Sequence, residues 1–409
     1  MQVNREREAS AVELTDDQLR IQAANLLAAR VAGSVQLHPR EVVSDYAGAM
    51  NIVRRYAVTV DGQPHPQTVI IKSRHRLREL MAREAAGLAF LDGGEQLTGL
   101  APRCYGLDRA AGILVLEDLQ LAEEQRLGQI LFASNRQAAH DALVAFMCTL
   151  GTMHAAGCQG QARYEALCAQ YQVVGEARHP IATLLTDLGD LLPLFSHYEV
   201  TITPALSADL RAVSAALLSI SPLQTFTHGD ATPANAFITP DGVRLLDLEA
   251  SGFRHALLDG AFARLRFIFS VWARAIPLPE QRMMERAYRE AFAAGCPEVA
   301  DDKIYRPALA VACAAWLAGL CARLPLVVEQ DRRWGRSTWR QRIVAGLEQF
   351  VVVAEETRQL PELAEAAQQL AYRLRAQWPD EECCLPLYPA FERADGADPT
   401  PADRSHSGA

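Results

Sequence analysis

The chain has 409 residues and half of them are apolar, so it is long enough to bury a large core or two lobes that share a cleft. Its formal net charge of −9 argues against a nucleic-acid partner, because no basic stripe is present to contact phosphates. No run of about eighteen apolar residues and no apolar leader occur, so we expect no membrane span and a cytoplasmic location. The nine scattered cysteines fit unpaired thiols in a reducing compartment.

Lysine is rare in this chain, since only Lys72 and Lys303 among its 40 basic residues are lysines. Lys72 ends a β-branched run that begins at Thr68, and this run predicts a buried strand. An ammonium group on a flexible stem at such a position can reach phosphate groups. The alternative is a strand-end lysine that extends into solvent.

Residues 77–91 carry leucine and methionine at helical spacing, and Glu84 lies within that apolar stripe. A carboxylate that faces a core must be paired or lose its charge, so we expect Glu84 to pair with Lys72. Glu79 lies on another face of the same helix and is the second choice as the partner.

The next two predicted elements are a strand and a long helix. Residues 111–119 form an apolar strand that runs into Glu117 and Asp118, which are either part of a binding segment or the solvated end of the strand. Residues 135–157 follow helical spacing, and His154 falls on the apolar stripe. We interpret His154 as a core histidine with satisfied hydrogen bonds.

Residues 160–224 predict helical segments that are interrupted by prolines. Asp187 and Asp190 share one face of such a segment. This face is either solvated or holds a cationic substrate.

The most specific pattern begins at His228 with His-Gly-Asp, continues with Asn235 five residues after that aspartate, and ends at Asp247. Between the last two, residues 236–239 and 243–247 predict short strands. A Pro-Asp-Gly turn joins them, because proline fixes one dihedral angle and glycine supplies a positive one.

This spacing resembles a kinase catalytic loop, in which one carboxylate activates a hydroxyl while an asparagine and a second aspartate bind magnesium. Glycine in place of the arginine of the protein kinase His-Arg-Asp motif is similar to the aminoglycoside phosphotransferase and choline kinase superfamily, whose members phosphorylate small molecules. The resemblance covers residues 40–350, most tightly residues 226–261. It implies an α+β, two-lobed protein kinase-like fold with a small antiparallel-sheet N-lobe and a mostly helical C-lobe.

The resemblance also suggests where the lobes divide. We assign residues 1–117 to the N-lobe, with its nucleotide-covering sheet and helix, and residues 118–392 to the helical C-lobe, with the catalytic loop and acceptor pocket. Residues 393–409 are rich in alanine, aspartate and proline and are expected to be a disordered tail.

The resemblance implies a role for each residue of the motif. Asp230 is the catalytic base that accepts the proton of the acceptor hydroxyl, and Asn235 with Asp247 binds Mg²⁺. Lys72 neutralises the α and β phosphates of ATP, and Glu84 holds the lysine side chain in position.

Four further residues are expected to contact the nucleotide. Residues 41–58 correspond to a nucleotide-covering hairpin, in which the amides of Ala47 and Gly48 either approach the phosphates or form a plain turn. Adenine is expected to hydrogen-bond to the carbonyl of Glu117 and the amide of Leu119.

Residues that follow the motif have supporting roles in the family it resembles. Glu249 belongs to an Asp-Leu-Glu sequence that replaces Asp-Phe-Gly and is a candidate neighbour of the metal. Asp259 is expected to support the catalytic loop without taking part in the chemistry. The arginines at 332–342 are interpreted as a solvated helix face, with contact to an anionic acceptor as the alternative.

The sequence thus predicts an ATP-dependent phosphotransferase that acts on a hydroxyl of a small molecule, such as an aminoglycoside, an amine alcohol or a sugar. A nucleotide-binding pseudokinase is disfavoured because Lys72, Asp230, Asn235 and Asp247 are all present. A protein kinase is disfavoured because its Asp-Phe-Gly and Ala-Pro-Glu motifs are absent from the sequence. The acceptor, the choice between ATP and GTP, and the oligomeric state are left open.

Overall fold

The computed structural model of the protein describes residues 15–31, 33–45, 52–74, 78–94, 96–174, 180–219 and 221–392. Ala47, Gly48 and the predicted tail therefore lie outside the described residues. The strands are β1 (Val35–Asp45), β2 (Ile52–Val60), β3 (Gln63–Ser73), β4 (Cys104–Asp108), β5 (Ile113–Glu117), β6 (Gln224–Thr227), β7 (Ala236–Thr239), β8 (Gly242–Leu245), β9 (Gly252–His255), β10 (Arg333–Trp334) and β11 (Ser337–Thr338). The helices are α1 (Asp16–Ala28), α2 (Glu79–Asp92), α3 (Leu127–Phe132), α4 (Arg136–Gly157), α5 (Gln161–Gln170), α6 (Pro180–Gly189), α7 (Leu191–His197), α8 (Pro204–Leu218), α9 (Leu257–Gly260), α10 (Phe262–Leu265), α11 (Leu278–Ala293), α12 (Asp302–Cys321), α13 (Trp339–Thr357), α14 (Pro361–Gln377) and α15 (Asp380–Cys383).

The small lobe is a five-stranded antiparallel sheet in the order β1-β2-β3-β5-β4. Side chains alternate between the two faces of a strand, and Val69 and Ile71 of β3 pack with α1 on one face. Lys72 consequently points to the opposite face, where α2 lies. It is only 6% exposed, so the interpretation as a solvent-facing lysine is wrong.

Helix α2 buries the predicted apolar stripe, including Met81 and Leu88. It also packs closely against the large lobe, because a Cβ added at Gly87 would lie 2.4 Å from the hydroxyl oxygen of Ser251. Near its end, the rings of Phe90 and Phe226 stack with their centres 4.4 Å apart. The helix that carries Glu84 is therefore fixed to both the sheet and the large lobe.

The large lobe is built around α4, which forms at the predicted position. Asn135 caps the helix by accepting a hydrogen bond from the backbone N–H of Ala138 at 3.0 Å. His154 is fully buried on α4, and its Nδ1 lies 2.7 Å from the hydroxyl of Tyr288. It is a buried core histidine, as predicted, but its Nε2 makes no hydrogen bond among the described residues and lies 3.5 Å from Oδ2 of Asp259.

The architecture is the predicted α+β, two-lobed fold, with a small antiparallel sheet and a mostly helical large lobe. Within the described part of the chain, one helical stretch, Asp302–Leu326, is long and apolar enough to cross a membrane. Its most apolar window is 67% buried inside the protein, as in a core helix. The cytoplasmic location stays a prediction.

Candidate active site

The predicted catalytic loop connects β6 to β7, and His228 holds it from within. The ring Nε2 of His228 donates to the carbonyl of Leu246 at 3.0 Å, and its Nδ1 accepts the backbone N–H of Asp230 at 3.2 Å. Burial lowers the pKa of His228, so the ring stays neutral and keeps one donor and one acceptor. This histidine ties the loop to the strand end before Asp247.

Asp259 holds the same loop from α9, as the sequence predicts. Its buried carboxylate accepts the backbone N–H of His228 at 2.7 Å and that of Gly229 at 3.1 Å. Gly229 has a φ of +84°, and an added Cβ would lie 2.1 Å from the carbonyl oxygen of Ala250. Glycine is therefore required in this His-Gly-Asp sequence, because any side chain would collide with backbone.

Asp230 lies at the end of this rigid loop. The side-chain amide of Asn235 donates to the Asp230 carboxylate at 2.9 Å and to its backbone carbonyl at 3.0 Å. Burial and the charge of Asp247 together raise the pKa of Asp230 to about 7, although the hydrogen bond from Asn235 opposes the shift. The result is a carboxyl group that exchanges its proton near neutral pH.

Asp247 is positioned by an unusual backbone conformation. The hairpin forms with Ala236 opposite Leu245, but β8 ends two residues before the predicted limit. Asp247 has φ of 64° and ψ of 61°, the left-handed region that non-glycine residues rarely adopt. This conformation places its carboxylate next to Lys72.

Lys72 joins the two lobes electrostatically. Its ammonium nitrogen lies 2.7 Å from Oε2 of Glu84 and 2.5 Å from Oδ1 of Asp247. Burial would lower the pKa of Lys72, but the charges of Asp247 and Glu84 hold it above its usual value, so it remains charged. Burial raises the pKa of Glu84 above its usual range, although Lys72 opposes this shift. Glu84, and not Glu79, is the partner of the lysine.

A cleft of about 810 Å³ opens between the lobes. Its walls include most of the predicted site residues: Lys72, Glu84, Glu117, Leu119, Asn235 and Asp247. Asp230 is not one of the wall residues, but its carboxylate accepts a hydrogen bond from Asn235, which is one. Whether the backbone at Glu117 and Leu119 binds adenine stays a prediction.

Of the two predicted acids, Glu117 is the last residue of β5 and Asp118 follows it. The Asp118 carboxylate is 3% exposed and accepts hydrogen bonds from Arg55 at 2.6 Å and from Thr68 at 2.5 Å. The solvated strand end is therefore wrong for Asp118. Its side chain ties the segment between the lobes to β2 and β3.

The donor set near Asp247 suits a hard divalent cation. Asn235 uses its amide nitrogen to donate to Asp230, and no contact of its Oδ1 appears among the described residues. Carboxylate and amide oxygens are the ligands that Mg²⁺ prefers. Oxygens of Glu84, Asp247 and Glu249 also lie within 4.8 Å of one another, although Glu249 already accepts a bond from Arg74 at 2.5 Å.

Asp187 and Asp190 do not belong to this cleft. They line a separate cavity of about 570 Å³ with Tyr198 and Cys321. Burial raises the pKa of the Asp187 carboxyl. Among the described residues, neither acid lines the cleft that Asn235 and Asp247 line.

The interpretation of residues 332–342 as a solvated helix face is wrong for part of the segment, because Arg332, Arg333 and Arg336 are exposed but precede α13, in and beside the β10–β11 hairpin. Arg340 and Arg342 are buried and donate to backbone carbonyls, among them those of Val327 and Ile268. Arg336, in contrast, lines the cleft. In the sequence, Gly335 could have indicated a turn before Arg336. A glycine alone does not show which part of the folded protein the turn faces.

Sequence analysis also missed Trp272 and Arg126 as residues of the cleft. The Arg126 guanidinium stacks 4.4 Å from the ring centre of Phe237 and pairs with Glu123 at 2.7 Å. Neither position belongs to a motif, so their arrival at the cleft depends on tertiary packing.

No family model matches this sequence, and a search of curated proteins also found no match. Solved structures with a similar chain path include a putative fructosamine-3-kinase from Thermobifida fusca YX-ER1, with 16% identity, 83% of this chain and 100% of that chain covered, and a TM-score of 0.47. A choline/ethanolamine kinase family protein from Mesorhizobium loti has 15% identity, coverage of 87% and 99%, and a TM-score of 0.44. Amicoumacin kinase hAmiN, solved in complex with AMP-PNP, Ca²⁺ and Ami, has 14% identity, coverage of 88% and 96%, and a TM-score of 0.42. These likenesses are distant, and the function proposed below rests on the side chains of the cleft.

Proposed function

We propose that this protein is an ATP-dependent phosphotransferase that transfers the γ-phosphate to a hydroxyl group of a small molecule. The observation that carries the proposal is the contact of one ammonium with two lobes, since Lys72 bonds to Glu84 at 2.7 Å and to Asp247 at 2.5 Å. A buried cation beside hard oxygen ligands at the bottom of a cleft suits a bound polyphosphate. Asp230 and Asn235 then lie beside the same charges.

Asp230 serves as the general base. A group with a pKa of about 7 can accept a proton at neutral pH and is still basic enough to assist its removal. The acceptor hydroxyl would donate a hydrogen bond to this carboxylate and pass its proton to it as the phosphoryl group is transferred. Asn235 fixes the carboxylate through the 2.9 Å bond, so little reorganisation is needed.

Asn235 and Asp247 would hold Mg²⁺, which supplies charge compensation for the phosphate oxygens when it is bound. Lys72 would neutralise the neighbouring phosphates, and Glu84 keeps the lysine stem in place. Ala47 and Gly48 stay candidates for covering the phosphates.

The adenine ring would occupy the part of the cleft beside residues 117–119. Leu116, Leu246 and Phe237 line this cleft and offer apolar contact to a flat ring. The carbonyl of Glu117 and the amide of Leu119 would bind the ring edge, so replacing these two side chains should have little effect on nucleotide affinity.

The proposal is tested by separating nucleotide binding from turnover. We expect Mg·AMP-PNP to raise the melting temperature of the wild-type protein and of Asp230→Asn to the same extent. Turnover, measured as ADP release with a panel of hydroxyl compounds, should fall about 10²–10⁴-fold in Asp230→Asn. Asp241→Asn, in the exposed hairpin turn, is the matched control and should behave as wild type. A wild-type protein with no nucleotide-dependent shift would contradict the proposal.

A further inference from the structure

One part of the cleft has no role in the reaction described above. Trp272 and Arg336 line it, and the Arg336 guanidinium lies 5.0 Å from the ring centre of Trp272 and 4.9 Å from that of Phe132. The two rings pack edge to face with their centres 5.4 Å apart. We call these three residues the aromatic–arginine wall.

A tight turn presents Arg336 to the cleft. Strands β10 and β11 pair through Trp334 and Ser337, which leaves Gly335 and Arg336 as a two-residue turn. The φ of +65° at Gly335 suits the first position of a type II′ turn. The backbone N–H of Arg336 donates to the carbonyl of Val271 at 2.8 Å, so the turn is bound to the segment that carries Trp272.

A second arginine fixes this turn from inside the protein. Arg342 is fully buried and donates to the carbonyl of Trp334 at 2.5 Å and to the hydroxyl of Ser337 at 3.0 Å. A third N–H of the same guanidinium donates to the carbonyl of Ile268 at 2.8 Å. The buried guanidinium of Arg342 therefore holds both strands, β10 and β11, and the turn between them exposes the guanidinium of Arg336. Such rigid placement is expected of a binding residue and is not needed for a solvated one.

Arg336 is also the cation that lacks a counter-charge. Among the described residues, its side chain makes no ion pair and no hydrogen bond, only the two ring contacts. The other cations of the cleft wall are paired: Lys72 with Glu84 and Asp247, Arg55 with Asp118, and Arg126 with Glu123. The remaining wall carboxylate, that of Glu117, accepts the backbone N–H of Arg103. Among the described residues of the cleft wall, Arg336 is thus the one cation without a carboxylate partner, and Glu117 is the one carboxylate without a cation partner.

More positive charge surrounds the same wall. The Arg274 guanidinium lies 5.7 Å from the ring centre of Phe132, on the side chain that Arg336 also contacts. Burial lowers the pKa of Arg274, Glu392 opposes this effect, and the charges of Arg333 and Arg336 lower it further. Glu392 offsets part of this like-charge repulsion, and an anionic ligand beside Arg336 would offset more of it.

We propose that the aromatic–arginine wall binds an anionic group, a carboxylate or a phosphate, on the hydroxyl-bearing acceptor. The proposal rests on the phosphotransferase function given above. A planar guanidinium offers two parallel N–H donors that match either anion, and Trp272 offers an apolar face to the carbon skeleton. Amine acceptors, including aminoglycosides and choline-like compounds, would meet an unpaired cation at this wall.

Matched probes separate acceptor charge from acceptor shape. The full-length protein is first saturated with Mg·AMP-PNP, so that the nucleotide phosphates are already bound. Glucose, gluconate, glucose 6-phosphate and glucosamine are then compared, together with glycerol, glycerate and glycerol 3-phosphate. We expect anionic members to raise the melting temperature above neutral and amine members, and ADP release with ATP to follow the same order. Comparing the thermal shifts of the two carboxylate probes with those of the two phosphate probes identifies which anion is preferred.

The variants assign the effect to Arg336. Arg336→Ala should reduce kcat/KM for the best anionic acceptor at least tenfold and remove its thermal shift, whereas Arg336→Lys should restore part of both. Arg332→Ala removes another exposed arginine of the same segment that does not line the cleft, and it should leave both unchanged. The Mg·AMP-PNP shift of Arg336→Ala should equal that of wild type, which also shows that the variant folds.

Three outcomes would overturn the inference. They are a preference for neutral or amine probes, no response to any anionic probe, and a loss of the nucleotide shift in Arg336→Ala. Each of these is distinct from failure of the proposed function, in which the wild-type protein itself would show no nucleotide shift.

Discussion

The two sides of the cleft satisfy their charges in different ways. On the side of the sheet and the catalytic loop, cations pair with carboxylates, as Lys72 does with Glu84 at 2.7 Å. On the side of the β10–β11 turn, buried guanidinium groups donate mainly to backbone carbonyls. Arg342, for example, bonds to the carbonyls of Trp334 at 2.5 Å and Ile268 at 2.8 Å, while Arg340 bonds to two carbonyls and also to the Glu382 carboxylate at 2.5 Å. A carboxylate partner is a particular residue that a sequence pattern can identify, whereas a carbonyl is offered by every residue.

Removing a cation that pairs with carboxylates should have the largest effect on activity and stability. In Lys72→Met, we expect kcat/KM to fall about 10²–10³-fold, because a charge that stabilises the transferred phosphoryl group is lost. The variant also leaves Glu84 buried without its cation, which should lower the free energy of unfolding by about 3–5 kcal/mol at pH 8. Urea denaturation and steady-state kinetics measure the two losses.

The pH dependence of this loss has a definite sign. Lys72 lowers the pKa of Glu84, so removing it raises further a pKa that burial already holds above its usual range. The folded state of Lys72→Met then binds a proton more readily than the unfolded state, and its stability falls as the pH rises above the unfolded value. We therefore expect a smaller loss at pH 6 than at pH 8.

Two variants control this experiment. Lys303→Met removes the other lysine, which is exposed, and should change neither stability nor activity. The double variant Lys72→Met with Glu84→Met should recover most of the stability, because the Glu84 charge is no longer buried without a cation, but not the activity. If Lys72→Met is equally stable at pH 6 and pH 8, Lys72 does not stabilise the charged form of Glu84.

The carboxylate side is also the side that the sequence predicts well. Strand alternation places Lys72 on one face of β3, and helical spacing places Glu84 in an apolar stripe, so a pair between them follows from local rules. The rigid loop around Asp230 follows from its motif. The turn that carries Arg336 has no comparable pattern, because its position depends on contacts with Val271 and Ile268 that are distant in sequence.

Removing a buried cation that donates to backbone carbonyls should have an intermediate effect on stability. Arg342→Met keeps much of the side-chain volume but leaves the carbonyls of Trp334 and Ile268 without their donor. We expect the free energy of unfolding to fall by about 2–4 kcal/mol, because buried acceptors lose charge-assisted bonds. Arg332→Met, at an exposed position of the same segment, should change it by less than about 0.5 kcal/mol. Equal stability of the two variants would mean that burial of the Arg342 charge cancels its hydrogen bonds.

The smallest predicted effect on stability comes from a substitution in the β10–β11 turn. Gly335→Ala meets two penalties, since the residue has a φ of +65° and its Cβ would lie 2.0 Å from the carbonyl oxygen of Val271. Gly62 is the matched control, because it has a φ of +76° and nothing within 4 Å of an added Cβ. We expect Gly62→Ala to cost about 1 kcal/mol from backbone strain alone and Gly335→Ala to cost about 1 kcal/mol more. The excess measures how tightly Val271 holds the turn. If the two variants lose the same stability, the turn can shift away from Val271, and the fixed position of Arg336 in the cleft would have to be abandoned.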